Sequence, residues 1–288
     1  MRILITGANG MLARATISHC SERGDEVIAL TRQQLDISDR TQVISTFESY
    51  KPEAVINCAA YTDVDGSETN IERCFAANAL GVENLAFASR QFDALLVTVS
   101  TDYVFDGTKT GFYTQRDTPN PQSVYGKAKL EGEIRARNTY ARSIIVRSGW
   151  IYGEGGNNFL SKAYDLLKTG NPINAIADSF GTPTFAEDLA TRLRQLLDLD
   201  LPLTFHVTNS GDGASYADFC RKICQINQWD LNLVKEISST SLNRPAPRPK
   251  NSKLACLFTE KLGLEPLQNW EIALQKFIQR KKQQKLTS

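Results

Sequence analysis

The apolar residues in the first half of the chain fall into five short runs: "RILIT" (2–6), "EVIAL" (26–30), "AVINCA" (54–59), "ALLVTVS" (94–100) and "SIIVRSG" (143–149). Each is rich in branched side chains and none alternates apolar with polar, the pattern of strands covered on both faces. Amphipathic helix candidates lie between them, for example residues 71–90. This strand–helix rhythm predicts an α/β fold with a doubly wound parallel sheet. After Gly149 the rhythm loosens. Helices are expected over 159–168, 186–197 and 216–227, with "INAIAD" and a strand "TFHVTN" among them. A loop of proline and basic residues (244–250) and two closing helices follow. The expected division is residues 1–149 as the sheet domain and 150–288 as a smaller region over the sheet's ligand edge. The two are partly interleaved, because "TFHVTN" can return to the main sheet.

Composition narrows the classes. A chain of 288 residues, 41% hydrophobic and 23% charged, is that of a soluble globular protein with ample length for a core. A net charge of +1 argues against broad electrostatic binding to nucleic acid or membrane. The one strong charge cluster, "RKKQQK" (280–285), reads as a solvated helix end, where cations suit the dipole. The six cysteines form no Cys-x-x-Cys pair and only two histidines exist, so buried free thiols are expected rather than a metal site. No basic segment leads into a long apolar run, so neither a signal peptide nor a membrane span is expected, and a reduced cytoplasm fits.

The first run ends in "TGANGMLA" (6–13). Gly7 permits a tight turn from strand to helix, Gly10 lets the backbone approach a pyrophosphate, and Ala13 is nearly as small as the third glycine of the pattern. The helix start offers unpaired N–H groups and partial positive charge. Gly7, Asn9, Gly10, Met11 and Leu12 are therefore the expected dinucleotide contacts. At the end of the second run an acid would accept the ribose hydroxyls of NAD, but Thr31 and Arg32 stand there. Arg32 can meet a 2′-phosphate, which favours NADPH over NADH; the competing reading is a solvated arginine. Asp36 and Ile37 are candidates for the adenine.

The fourth run leads into "VSTDYVFDG" (99–107). Ligands of such sheets bind beyond the carboxyl ends of the strands, so Ser100, Thr101, Asp102 and Tyr103 are expected at the cleft. Tyr125 and Lys129 then share one face at the start of the next predicted helix. Hydride reduction of a ketone leaves an alkoxide that must be protonated. A free Tyr has a pKa near 10, too high to cycle well. An ammonium about 5 Å away favours phenolate by about 3 kcal/mol at an effective dielectric near 20, roughly two pK units. Thr101 can hold the carbonyl oxygen, and Lys129 can also bind the nicotinamide ribose. A second Tyr-x-x-x-Lys, Tyr164 and Lys168, lacks a hydroxyl-tipped strand end upstream. It is read as a packing residue and a solvated charge.

In this order the Gly turn, strand-end Thr and Tyr–Lys pair resemble an extended short-chain dehydrogenase/reductase. "INCAAYTDVDGSE" (56–68), "VSTDYVFDG", "YGKAKLEGE", "RSGWIYGEGGNNF" (147–159), "GTPTFAEDLA" (181–190) and "RPKNSKL" (248–254) together resemble the dTDP-4-dehydrorhamnose reductase family over nearly the full length. That resemblance implies reduction of the 4-keto group of a dTDP-linked deoxyhexulose to dTDP-L-rhamnose, a precursor of surface polysaccharide. It implies Thr101, Tyr125 and Lys129 as the catalytic set, and Asn57, Ala59, Ala60 and Tyr61 along the cofactor. Thr62, Asp63 and Val64 would face the sugar together with the strand-end residues Thr101, Asp102 and Tyr103. Trp150 and Asn158 would line its pocket, and Arg248 and Ser252 would meet the nucleotide diphosphate. Competing readings are Asp63 as a helix cap near Gly66, Trp150 as core and Arg248 as a solvated loop charge. Some family members dimerise through a magnesium site that includes a Glu on the first helix. Ala15 stands there instead, so magnesium (Mg2+) dependence stays open, as does the choice between monomer and homodimer. A reductase or epimerase of another nucleotide-linked 4-keto sugar is the near alternative. A regulatory subunit resembling that of methionine adenosyltransferase is the distant one.

Overall fold

All five apolar runs form strands, and they lie side by side. A computed structural model describes the backbone of residues 1–287 and the side chains of residues 1–283. The strands are β1 (Arg2–Thr6), β2 (Glu26–Leu30), β3 (Ala54–Asn57), β4 (Leu95–Thr101) and β5 (Ile144–Ser148). With Thr204–His206 they make a six-stranded sheet in the order Thr204–His206, β5, β4, β3, β1, β2. Every pairing is parallel. The expected doubly wound sheet is borne out, and "TFHVTN" supplies its far edge.

The absence of alternation now has its cause. Leu4, Val55, Leu96 and Ile145 pack on one face, against Val43 and Phe47 of Arg40–Tyr50 and Val82 and Leu85 of Gly81–Gln91. Ile3, Ile5, Ile56 and Val97 pack on the other, against Ala13 and Cys20 of α1 (Met11–Glu22) and Leu189 and Leu193 of Ala186–Leu199. Full burial of each large apolar side chain is worth about 1.5–3 kcal/mol, so both faces demand apolar residues.

The helix expected over 71–90 is continuous but not uniform. Ile71–Phe75 and Gly81–Gln91 are α-helical, and Ala76–Leu80 between them is one turn of π-helix. The widened turn aims Asn78 at the loop after β3, where its side chain accepts from the Tyr61 N–H at 2.9 Å and donates to the Tyr61 carbonyl at 3.0 Å. Such π turns concentrate at functional sites.

Phe159–Leu167, Tyr216–Asn227 and Trp270–Thr287 surround a separate core that includes Tyr152, Tyr164, Phe219 and Phe277. "INAIAD" contributes the strand Ile173–Ile176, paired with Val234–Ile237. Among the described residues there is one closing α-helix. The other expected one is a single 3-10 turn, Glu260–Leu262, ended by Gly263 at φ +68°. The basic tail is more engaged than expected: Arg280 pairs with Glu187, and Lys281 with Asp165 at 2.6 Å. Side chains of residues 284 and 285 lie outside the described residues. All six cysteines are free, four of them buried. Among the described residues no helix is long and apolar enough to cross a membrane.

Candidate active site

A cleft of about 1120 Å³ opens at the carboxyl ends of the strands. At one end lies the first turn. Gly7 has φ +69°, and a Cβ there would sit 2.9 Å from the Ala59 backbone, so only glycine lets the loops after β1 and β3 meet. Gly10 is the N-cap of α1 and has no side chain to cap it. The first N–H groups of α1 are thus uncapped where Asn9, Gly10, Met11, Leu12 and Ala13 line the cleft. A dinucleotide's phosphates fit this end. Ala13 is fully buried, as the small third position requires.

Tyr125 reaches the cleft because its helix begins hard against the end of β4. Val124–Thr139 is capped by Ser123, whose Oγ accepts from Gly126 N–H at 3.1 Å. A Cβ on Gly126 would lie 2.3 Å from the Tyr103 carbonyl. This places Thr101, Asp102, Tyr103, Tyr125 and Lys129 on one wall. The Tyr125 and Tyr103 rings meet edge to face at 5.9 Å. One turn beyond Lys129, buried Glu133 accepts from Ser100 Oγ at 2.5 Å and from Arg147 Nη2 at 2.7 Å. That network ties the helix to the ends of β4 and β5.

Burial works against the expected tuning of Tyr125 by Lys129. Burial pushes the Tyr125 phenol well up; the Thr101 hydroxyl opposes this, and the Asp102 charge adds to it. The Lys129 ammonium donates to the Val99 carbonyl at 2.6 Å, and burial lowers its pKa to about 8, with Glu133 resisting. Desolvation outweighs attraction at Lys129, which is buried, and weighs on the half-buried Tyr125 at the cleft wall.

Ala59, Ala60, Thr62, Asp63 and Val64 also line the cleft, as do Trp150, Asn158 and Arg248. Their roles in the fold are now visible. Asp63 caps Val64–Ser67 by accepting from Gly66 N–H at 2.9 Å. Asn158 caps Phe159–Leu167 and donates to the Ile151 carbonyl at 2.8 Å. Trp150 has φ +51°, a costly conformation for a bulky residue, and its ring stacks on Tyr216 at 3.9 Å. Arg248 is not a solvated charge: its fork grips Asp65 through Nη1–Oδ1 at 2.9 Å and Nη2–Oδ2 at 2.7 Å.

Several expected contacts stand back from the cleft. Arg32 and Asp36 pair with each other at 3.5 Å on the surface beyond β2. Ile37 is buried beneath Gly81. Asn57 accepts from Thr6 Oγ1 at 2.6 Å and donates to Thr98 at 3.0 Å, which bonds three adjacent strands. Tyr61 is held through its backbone by Asn78. Ser252 is buried behind Asp102. Tyr216, Arg244 and Asp65, not anticipated from sequence, join the cleft lining. Tyr216 and Arg244 are distant in sequence from the strand ends, whereas Asp65 lies within the 56–68 segment after β3 but is not singled out there. Among the described residues no three His, Cys, Asp or Glu side chains are grouped to hold a metal ion.

Residues 1–283 match the family described as the RmlD substrate binding domain. A dTDP-4-dehydrorhamnose reductase of Sinorhizobium fredii is 35% identical, over 96% of this chain and 97% of that one. The crystal structure of a dTDP-4-dehydrorhamnose reductase of Clostridium acetobutylicum superposes with a TM-score of 0.93 at 38% identity, covering 98% of this chain and 100% of that one. That of Bacillus anthracis, in complex with NADP, gives a TM-score of 0.93 at 33% identity, over 97% and 99%.

Proposed function

The chain belongs to the dTDP-4-dehydrorhamnose reductase family, and on that footing we propose that it reduces the 4-keto group of dTDP-4-dehydro-L-rhamnose with NADPH. The carrying observation is one cleft that joins an uncapped helix start, fit for phosphates, to a wall holding Thr101, Tyr125 and Lys129. The nicotinamide, when bound, supplies the hydride. Thr101 holds the C4 oxygen and Tyr125 gives it a proton. A raised phenol pKa suits that direction, because Tyr125 keeps its proton until an alkoxide, a much stronger base, appears beside it. Lys129 keeps a positive charge near the phenolate that results, and the Val99 carbonyl fixes its ammonium.

Arg32 supports NADPH over NADH. Its side chain is 59% exposed and its pair with Asp36 is a surface contact across a turn, worth about 0.2–1 kcal/mol and easily surrendered to a 2′-phosphate. Trp150 and Asn158 face the sugar in this reading, and Asp102 contacts Thr101 at 3.0 Å. Asp65 holds the Arg248 guanidinium at the cleft rim for the nucleotide's phosphates. Six free thiols support a reducing compartment such as the cytoplasm. The test follows NADPH absorbance with dTDP-4-dehydro-L-rhamnose. Steady oxidation is expected; clear NADPH binding without turnover of that sugar would sink the assignment.

A further inference from the structure

Thr101 has one hydroxyl proton, and its neighbours decide where that proton points. The Tyr103 N–H donates to Thr101 Oγ1 at 3.2 Å and fills one lone pair. Asp102 Oδ1 lies 3.0 Å from the same oxygen. The Tyr125 phenol faces it from the helix. An ionised Asp102 can only accept, so it takes the Thr101 proton and leaves Thr101 with nothing to donate into the cleft. A protonated Asp102 donates to Thr101 instead and releases the Thr101 proton toward the cleft.

We propose that Asp102 is a positioning residue that works in its protonated form, turning the Thr101 hydroxyl into a donor to the sugar's C4 oxygen. The inference rests on the reading of Thr101 given above. Three observations carry it. Asp102 is 3% exposed, and its Oδ2 meets no hydrogen bond of normal geometry among the described residues, the Ser252 hydroxyl acting only as a weaker neighbour of the carboxyl. The backbone seals it: a Cβ on Gly149 would lie 2.4 Å from its carboxyl carbon. Arg248, a cation lining the same cleft, is gripped by Asp65. A buried carboxylate with one oxygen short of a normal hydrogen bond and no ion-pair partner among the described residues is one that protonation relieves.

The charge balance agrees. Burial raises the Asp102 pKa to about 6, against the pull of the Ser252 and Thr101 hydroxyls and the local N–H groups. Tyr103, Tyr125 and Tyr216 face it from the strand end and two helices, and burial keeps all three neutral. Lys129, one turn from Tyr125, titrates separately, near 8.

The experiment is a pH profile of kcat/KM for the keto sugar at saturating NADPH, in the unaltered protein and in Asp102→Asn. The unaltered protein is expected to lose activity about tenfold per unit above pH ~6, and more steeply above ~8. Asn, whose amide can donate at every pH, removes the first fall and keeps the second, so the two profiles converge or cross above neutrality. A flat profile between about 5.5 and 7.5, or an Asn variant that still falls near 6, overturns the proposal. Infrared difference spectra between the two proteins supply a second arm that needs no turnover. A protonated-carboxyl band that vanishes near pH 6 supports the proposal, and one gone below about 4.5 overturns it. If neither protein turns over the sugar at any pH, the reductase reading falls and takes this inference with it; turnover with an unchanged profile sinks the inference alone.

Discussion

Two Tyr-x-x-x-Lys pairs of identical spacing lie on two helices of this protein, and they have nothing else in common. Tyr125 is the second residue of its helix, on the wall of the cleft with Thr101. Tyr164 is mid-helix and 2% exposed, packed in the C-terminal core with its ring 5.5 Å from that of Trp229. Lys129 is 4% exposed and donates to a strand carbonyl, whereas Lys168 follows the end of its helix and is exposed. Spacing only puts two side chains on one helical face. What stands opposite that face, a strand end or an apolar core, decides whether the pair has chemistry or packing to do.

The sharpest way to break the comparison is to delete each hydroxyl. Tyr125→Phe should lower kcat about 10²–10⁴-fold, with NADPH binding by fluorescence titration retained. Tyr164→Phe should leave kcat within about twofold, because its ring still fills the core. The reverse result would exchange the two assignments. Truncation should invert the ranking for stability: Tyr164→Ala empties a core site and is expected to cost about 3–5 kcal/mol in urea unfolding. Next, Thr101→Val should lower kcat about 10²-fold, the size of one lost donor to a developing oxyanion, with little change in KM.

The smallest effect is on the lysines, and it has an unusual sign. The folded pKa of Lys129, about 8, lies below its ordinary 10.5. Between those values the unfolded chain binds more protons, so this group's penalty is full below pH 8 and is relieved as pH rises toward 10.5. Lys129→Met should therefore gain stability at neutral pH, on the order of 2 kcal/mol, while losing activity. Lys168→Met should shift stability by less than about 0.5 kcal/mol. A Lys129→Met protein less stable than its parent would show that the Val99 hydrogen bond outweighs the buried charge.

The legible parts of the sequence were those set by short-range rules. Five non-alternating runs announced strands buried on both faces, and β3 and β4 end within two residues of the reading. The Gly7–Gly10 turn declared itself by position after β1. The second closing helix failed because a left-handed glycine ends the turn after three residues. The 71–90 helix hid a π turn, whose purpose, bonding Asn78 to Tyr61, depends on a loop brought back by β3.

The sequence by itself determined the sheet, the phosphate turn and the order of Thr101, Tyr125 and Lys129, because period, glycine placement and spacing act over a few residues. Only the tertiary structure decided which Tyr–Lys pair faces a strand end, that Asp65 grips Arg248, and that Trp150 leans on Tyr216 in a left-handed backbone. It alone buried Asp102 with one oxygen short of a normal hydrogen bond and gave Lys129 a backbone carbonyl for company. Desolvation and pairing are sums over everything that surrounds a group, and those surroundings come from segments more than a hundred residues apart, such as Asp65 and Arg248.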